Sequence, residues 1–591
     1  MLFAATLSLL ALPNVWAQSS VADAYVASES PLARAGMLAN IGPSGSQSLG
    51  AFPGIVIASP STVNPDYLFT WTRDSAVAFS AIVNQFALGI DTTTRGEIDD
   101  YVASQVIVQQ IPNPSGDLAS GGLGEPKFNI NETAFTGPWG RPQRDGPALR
   151  SIALITWANF LLSESNTSYV TDTLWPIIEN DLNYVAANWN ESTFDLWEEL
   201  NSSSFFTTAV QHRVLHQGVS LATALGQPES LVSNYETQAN FVLCFLQTYW
   251  NTAGHITANT GGGRSGIDAN TVLASIHTFD AAAGCDALTF QPCSDLALLN
   301  LHTYVDAFRS LYEINSGFAS NEAVLTGRYP EDVYMGGNPW YLTTLAVAEQ
   351  LYDSLIVWNS QKSLEVTSTS LAFFQIFDSS IAAGTYASSS SQFTSLTGAI
   401  KTFSDGFVAA VANHTPANGG LAEQISNTNG TPVSAVDLTW SFAAALTTFD
   451  ARKGVVPASW GAKGLSLSCA GEPIPQTVFC DFQRRCYYYF WAYVYPLFLA
   501  ICRLMLFGAR IENIYLTGSV DALEDWSTET ALLMSSANYP IWSITVTLPA
   551  NTDIQYKYIN IDGSALTWES DPNNEFTTPA SGTFVTHDTW R

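Results

Sequence analysis

Phe194 to Ser203 read FDLWEELNSS, and in that stretch Asp195, Glu198 and Glu199 crowd around Leu196 and Trp197. The rest of the chain is sparing with charge, with only 13% of residues charged. A carboxyl pressed against an indole and a leucine loses water. That favours its protonated form, which a general acid must keep near neutral pH. Adjacent side chains point about 100° apart on a helix and to opposite faces on a strand. Glu198 and Glu199 therefore cannot flank one bond together as acid and base; one of them serves, and its partner comes from elsewhere. Asp195 stands three residues before Glu198, and on a helix that spacing puts the two Cβ atoms about 5–6 Å apart, close enough to tune a neighbour through like charge. Taken alone, the stretch also suits a solvated acidic helix start.

Four further clusters have the residue types of a sugar site. NPDYLFTWTRDS (64–75) frames Arg73 and Asp74, a fork of donors beside an acceptor, with the aromatic faces of Tyr67 and Trp71. GEPKFNINETAFTGPWGRPQRDGPA (124–148) centres on Trp139, and GRYPEDVYMGGNPW (327–340) carries Arg328, Tyr334 and Trp340. In NGGLAEQIS (418–426) Glu423 lies in a loop flanked by glycines, a setting that tolerates an exposed carboxylate. No HExxH, P-loop, GxSxG or EF-hand pattern occurs, and no Cys/His cluster has zinc spacing.

The elements that must position these clusters are mostly helices. From about residue 30 to 460, helical patterns alternate with Gly/Pro-rich loops. Asp74-Ser75 is expected to cap a helix carrying Phe79, Ile82, Val83 and Phe86 that stops at Gly89. ALRSIALITWANFLL (148–162) is apolar nearly all round, as in a helix buried on both sides, and 343–358 and 437–449 are similar. After about 510 the texture changes. In SITVTL (543–548) Ile544, Val546 and Leu548 share one face, and in IQYKY (554–558) Ile554, Tyr556 and Tyr558 do, which predicts a small antiparallel β domain. The apolar stretch 486–507 suits neither domain. It is too short and too interrupted, by Pro496, for a membrane span, and it reads as foreign to the fold.

The chain has 591 residues, enough for one large domain and one small one. Its net charge of −30 repels nucleic acid and anionic membranes, so neither is an expected partner. MLFAATLSLLALPNVWAQSS has the apolar run and small-residue cleavage pattern of a secretory leader ending at Ala17, although its first basic residue is Arg34. Sequons at Asn131, Asn166, Asn190, Asn201, Asn413 and Asn429 agree with a secreted, extracellular glycoprotein. Secretion permits disulfides. Cys285 and Cys293 have the spacing of a local staple, and the seven cysteines leave at least one thiol unpaired.

Together the clusters resemble the fungal members of glycoside hydrolase family 15. TWTRDS, GEPKFN…GPWGRPQRDGPALR, DLWEE…SSFF…QHR, GRYPED…GNPW, AEQ and DLTWS carry the likeness, in family order, over roughly residues 25–470. Residues 511–591 are similar to the family 20 starch-binding module in ENIYLTGS, DW, the YKY strand and WESDPN. The resemblance implies a leader (1–17), an (α/α)6 barrel (18–470), a connecting stretch with the first module strand (471–510) and a small β-sandwich (511–591). It implies a monomer that removes β-D-glucose from the non-reducing ends of starch, amylopectin and maltooligosaccharides by inversion, with neither a metal nor an organic cofactor. An inverting site holds its acid and base about 6.5–9.5 Å apart with water between.

Matched motif to motif, Glu198 is the implied general acid and Glu423 the implied base. Asp195 and Glu199 would position sugar hydroxyls and tune the acid. Arg73 and Asp74 would hold the terminal glucose, walled by Tyr67 and Trp440. Arg328, Glu199 and the Leu196 backbone would grip the ring on either side of the cleaved bond, and Trp71, Trp139, Trp197, Tyr334 and Trp340 would line the remainder. In the module, Trp526 and Trp568, supported by Lys557, Glu569 and Asn573, would stack on sugar, and Tyr539 and Trp542 would form part of a second site, where Arg510 replaces the family's aromatic. The family pairing joins Cys244 to Cys469 and Cys285 to Cys293. The competing readings are a different (α/α)6 glycosidase, such as a trehalase or an α-glucosidase-like enzyme, disfavoured by DLWEE together with the module, and a non-catalytic starch binder, disfavoured by the presence of both carboxylates.

Overall fold

The computed structural model describes residues 12–467, 469, 498–505, 514–528, 530–538, 541–562, 565–578 and 582–589. The chain divides into two compact units, Met1–Thr477 and Val478–Arg591. Among the described residues of the first unit, twelve helices of nine residues or more alternate between an outer and an inner position. They are α1 (Leu12–Ala39), α2 (Thr72–Ala87), α3 (Arg95–Val108), α4 (Asp145–Ser163), α5 (Trp175–Asn188), α6 (Phe205–Ala224), α7 (Glu229–Leu246), α8 (Ala269–His277), α9 (Asp295–Arg309), α10 (Tyr341–Gln361), α11 (Ser391–His414) and α12 (Thr439–Arg452).

The even-numbered helices close a ring: α2 packs on α4, α4 on α6, α6 on α8, α8 on α10, α10 on α12, and α12 on α2. The odd-numbered helices pack outside them, which makes the unit an (α/α)6 barrel. Position in the ring explains the sequence. α4 is apolar nearly all round because α2 and α6 flank it and α5 backs it, and Leu149, Leu154, Ile155 and Trp157 are all buried. α8, α9 and α11 start on side-chain caps, with Asp268, Ser294 and Ser390 accepting from the backbone N–H of Asn270, Ala297 and Phe393. α2 does not start as expected. It begins at Thr72 after an extended Trp71, so Asp74 lies buried in the first turn instead of capping it. Gly89, at φ +71°, does close that helix.

A belt after α12 returns along the barrel. Asp280 Oδ2 accepts from the backbone N–H groups of Trp460, Gly461 and Ala462 and from Ser459 Oγ, at 2.8–3.2 Å. Disulfides join Cys244 to Cys469, at the belt's end, and Cys285 to Cys293, the pairings that the resemblance implies.

The second unit is a β domain. Its strands are β1 (Phe498–Met505), β2 (Ile514–Gly518), β3 (Leu532–Leu533), β4 (Ser535–Asn538), β5 (Ile541–Leu548), β6 (Asp553–Asp562), β7 (Ala565–Trp568), β8 (Asn574–Thr577) and β9 (Gly582–Thr589). One sheet runs β4-β5-β1-β9 and the other β3-β2-β6-β7, with β8 also on β6. The pairing is antiparallel except for β1 with β9, which is parallel. The two predicted alternating stretches are β5 and β6. Ile554, Tyr556 and Tyr558 are buried, and Ile544 and Val546 pack with Leu548 on the same core. β1 falls inside the apolar stretch that reads as foreign to the fold, yet it is paired along its whole length on both sides. Residues 486–497 and 506–507 of that stretch lie outside the described residues, as do Tyr539 and Arg510.

Candidate active site

A cavity of about 610 Å³ opens at one end of the barrel. Its wall comes from the segments that lead into the inner helices: 65–74 into α2, 127–140 ahead of α4, 196–199 ahead of α6, 328–340 into α10, and Glu423, Leu438 and Trp440 at α12. It therefore sits over the N-terminal ends of the inner ring, where helix dipoles and free N–H groups stabilise negative charge. Tyr67, Trp71, Arg73, Asp74, Trp139, Leu196, Trp197, Glu198, Glu199, Arg328, Tyr334, Trp340, Glu423 and Trp440 all line it.

FDLWEELNSS is a hairpin rather than a helix start. Thr193–Phe194 pairs with Asn201–Ser202, and Asp195 N–H donates to Leu200 O at 2.9 Å. Glu198 occupies the left-handed region at φ +67°, a strained position for a residue with a Cβ. The turn is held from below by Asp195. Fully buried, it accepts from the backbone N–H of Glu199 (2.9 Å) and Leu200 (3.2 Å) and from Asn259 Nδ2 (3.3 Å). Of the three catalytic candidates, Asp195 alone does not reach the cavity wall. Its carboxylate is spent on the loop that presents Glu198 and Glu199. Burial raises its pKa, against those backbone hydrogen bonds.

Glu198 Oε1 accepts from Trp71 Nε1 (2.7 Å) and Gln143 Nε2 (3.0 Å), with Arg73 Nη2 at 3.4 Å. Arg73 is anchored by Asp145 at 2.7 Å, a buried pair. Glu199 faces the other way, taking Arg328 Nη2 at 2.9 Å together with Arg264 and the Tyr329 hydroxyl. These partners outweigh its burial and hold its pKa below the ordinary value. Arg328 also pairs with Asp332 and stands over the rings of Tyr334 (4.9 Å), Trp197 and Trp340 (both 5.4 Å).

Glu423 arrives from a remote segment, and its backbone N–H donates to Ala435 O at 2.8 Å. It is 1% exposed. Burial pushes its pKa up to about 7, while hydrogen bonds from Ser434 Oγ, Tyr67 and Gln424 Nε2 and the nearby Arg328 pull against that rise. Asp74 is likewise lifted by burial to about 7, with Arg73 opposing. Tyr67 and Tyr334 join their loops through a 2.8 Å hydroxyl contact. The buried donors Arg73 Nε, Trp139 Nε1 and Trp340 Nε1 have no acceptor among the described residues.

Lys127, Gln143, Asp145, Arg264, Tyr329 and Ser434 touch this constellation and were not singled out from sequence. The first three lie inside the quoted 124–148 cluster, so charge beside its central tryptophan was the available signal. Among the described residues, no group of three or more His, Cys, Asp or Glu is arranged to hold a metal.

In the module, Trp526 and Trp568 stand 6.5 Å apart, and Trp568 is 37% exposed. Lys557 Nζ donates to Asp571 (2.7 Å) and to the Glu569 carbonyl (3.2 Å), while Asn573 Nδ2 reaches Gln555 at 3.2 Å. Glu569 is buried. Trp542 departs from expectation. At 2% exposure it belongs to the module core, because its place on β5 is on the face it shares with Ile544, Val546 and Leu548.

The chain belongs to the glycosyl hydrolases of family 15, whose model matches residues 31–450; a starch binding domain model matches 508–588. It is 58% identical over 586 residues to Glucoamylase-1 of Schizophyllum commune, covering 97% of each chain. It is 44% identical over 595 residues to a glucoamylase of Neurospora crassa, covering 96% of this chain and 94% of that one. Among solved structures, the family 15 glucoamylase from Hypocrea jecorina superposes with a TM-score of 0.74 at 44% identity, covering 96% of this chain and all of that one.

Proposed function

We propose that this chain is a secreted glucan 1,4-α-glucosidase that removes glucose from the non-reducing ends of starch and maltooligosaccharides with inversion, and that its module holds the enzyme on starch. The family, its glucoamylase relatives and the starch binding domain support the exo-acting hydrolysis of starch. The observation that carries the mechanism is that Glu198 and Glu423, 225 residues apart in sequence, line one cavity walled by aromatic rings and cationic donors.

In this reading Glu198 gives its proton to the glycosidic oxygen as the C1–O bond breaks. A water adds to C1 from the opposite face and passes its proton to Glu423. Asp74 and the other carboxylates stabilise positive charge building on the ring. The unpartnered donors of Arg73, Trp139 and Trp340 suit sugar oxygens. The acid role of Glu198 rests on the DLWEE match. Burial raises the pKa of Glu423, which makes it a strong proton acceptor once ionised.

Glu198→Gln and Glu423→Gln, each assayed on maltose and on α-D-glucosyl fluoride, separate the roles, because fluoride leaves without a proton. The acid variant should lose maltose but keep fluoride turnover, and the base variant should lose both. The opposite pattern exchanges the roles, and a first-formed α-anomer from the native enzyme rules out inversion.

A further inference from the structure

Lys127 lines the cavity wall at 2% exposure, and the proposed mechanism does not use it. Its Nζ lies 3.6 Å from the ring centre of Trp139, 4.1 Å from Phe69, 4.3 Å from Phe135 and 4.5 Å from Trp71. Four rings thus surround one ammonium, and among the described residues no hydrogen bond or ion pair holds it. Burial brings its pKa down to about 8, against the opposing pull of Glu198 and Asp66, so it remains charged at acidic and neutral pH.

The placement is built into the backbone. Trp71 and Lys127 are directly paired in a short antiparallel ladder, which brings the two side chains together. Trp71 in turn donates its indole N–H to Glu198 Oε1 at 2.7 Å. A cation against the face of an indole draws on its π density and strengthens the N–H as a donor. When Glu198 loses its proton it gains a full negative charge, and the indole N–H with the ammonium behind it stands ready to receive that charge.

We propose that Lys127 is a positioning residue for proton donation: caged by four aromatic rings, it acts through Trp71 to stabilise the Glu198 carboxylate that forms as the leaving sugar is protonated. This rests on the reading of Glu198 as the acid. The step moves one proton, from Glu198 to the leaving oxygen. Lys127 neither gives nor takes one.

The test is Lys127→Met, which keeps an unbranched stem between the rings and removes the charge, with Lys127→Arg as the conservative variant. kcat and KM are measured on maltose and on α-D-glucosyl fluoride. Lys127→Met should lower kcat on maltose by about tenfold or more with KM changed by less than about threefold. Turnover of the fluoride should stay within about threefold of native, because no proton is needed there, and Lys127→Arg should recover most of the maltose rate. Equal loss on both substrates would reveal a packing role and overturn the proposal, as would a native rate on maltose.

Trp71→Phe removes the N–H without the ring and should show the same selective loss; equal loss there too would end the route through Trp71, even if Lys127→Met failed to fold. Glu198→Gln run alongside keeps the two claims apart. If it fails to discriminate the substrates, the acid assignment falls. If it discriminates and Lys127→Met does not, only the role of Lys127 falls.

Discussion

At the scale of single residues, the two carboxylates are set apart by their partners. Glu198 is surrounded by N–H donors, whereas Glu423 is nearly sealed from solvent and answers chiefly to Ser434, Tyr67 and Gln424. In the proposed mechanism Glu423 is the base and works as the carboxylate, so activity should be lost as pH falls through its pKa. The hydroxyl of Ser434 stabilises the carboxylate and pulls that pKa down. Ser434→Ala should therefore raise it and move the acidic limb of the kcat/KM profile to higher pH, by roughly one to two pH units for one charge-assisted hydrogen bond. The alkaline limb should stay in place. An acidic limb unmoved, or moved to lower pH, would mean that Glu423 is not the group that must be ionised. Glu423 itself was legible as a candidate in its glycine-flanked loop, but Ser434 was not, because the two, eleven positions apart, are closed into contact only by the tertiary fold.

At the scale of elements, each inner helix is entered through a loop that contributes to the cavity wall or its supports, and the outer helices carry the chain back. This is why so many acids survive in one place: the helix starts favour them, and each has a cation or an N–H within reach. The frame depends on buried pairs. Asp181 on α5 is fully buried and accepts from Arg150 Nε on α4 (2.8 Å), Ser151 Oγ (3.0 Å) and Gln109 Nε2 (3.0 Å). Arg150→Met should leave an uncompensated carboxylate and cost about 3–5 kcal/mol of stability, whereas Arg150→Met with Asp181→Leu should recover most of the loss. Thermal unfolding of both variants decides it; equal loss in single and double variants would show that packing, not charge, is at stake.

The long helices were readable because burial on both sides writes itself as an apolar run, as in α4 and α12. The hairpin around Glu198 was not. Its strands are two residues long and are fixed by Asp195 and the surrounding loops, so the stretch has no periodicity to read. The start of α2 was misplaced for a related reason: Asp74 resembles a cap in sequence, but it is drawn into the cavity wall beside Arg73.

At the scale of the whole molecule, a pocket that admits only a chain end gains from being kept on an insoluble substrate, since tethering turns each new encounter into a local one. Composition marked the β domain clearly, yet its details escaped the sequence. β1 was hidden in an apolar stretch whose length and aromatic density mask any alternation, and Trp542 was read as part of a second sugar site when strand register turns it into the core. Trp526 and Trp568 remain the proposed sugar-stacking pair, with Trp568 the more open of the two. A chain ending at Thr477, the boundary between the two units, retains Cys469 and the whole barrel. It should hydrolyse soluble maltooligosaccharides with kcat/KM within about twofold of the full chain but release glucose from raw granules about tenfold more slowly. Trp568→Ala in the full chain should move granule adsorption in the same direction by about five- to tenfold, in keeping with 1–1.4 kcal/mol for a stacked ring. If both forms digest granules as fast as the native chain, the module does not anchor the enzyme. If only Trp568→Ala is silent, the anchoring surface lies elsewhere on the module.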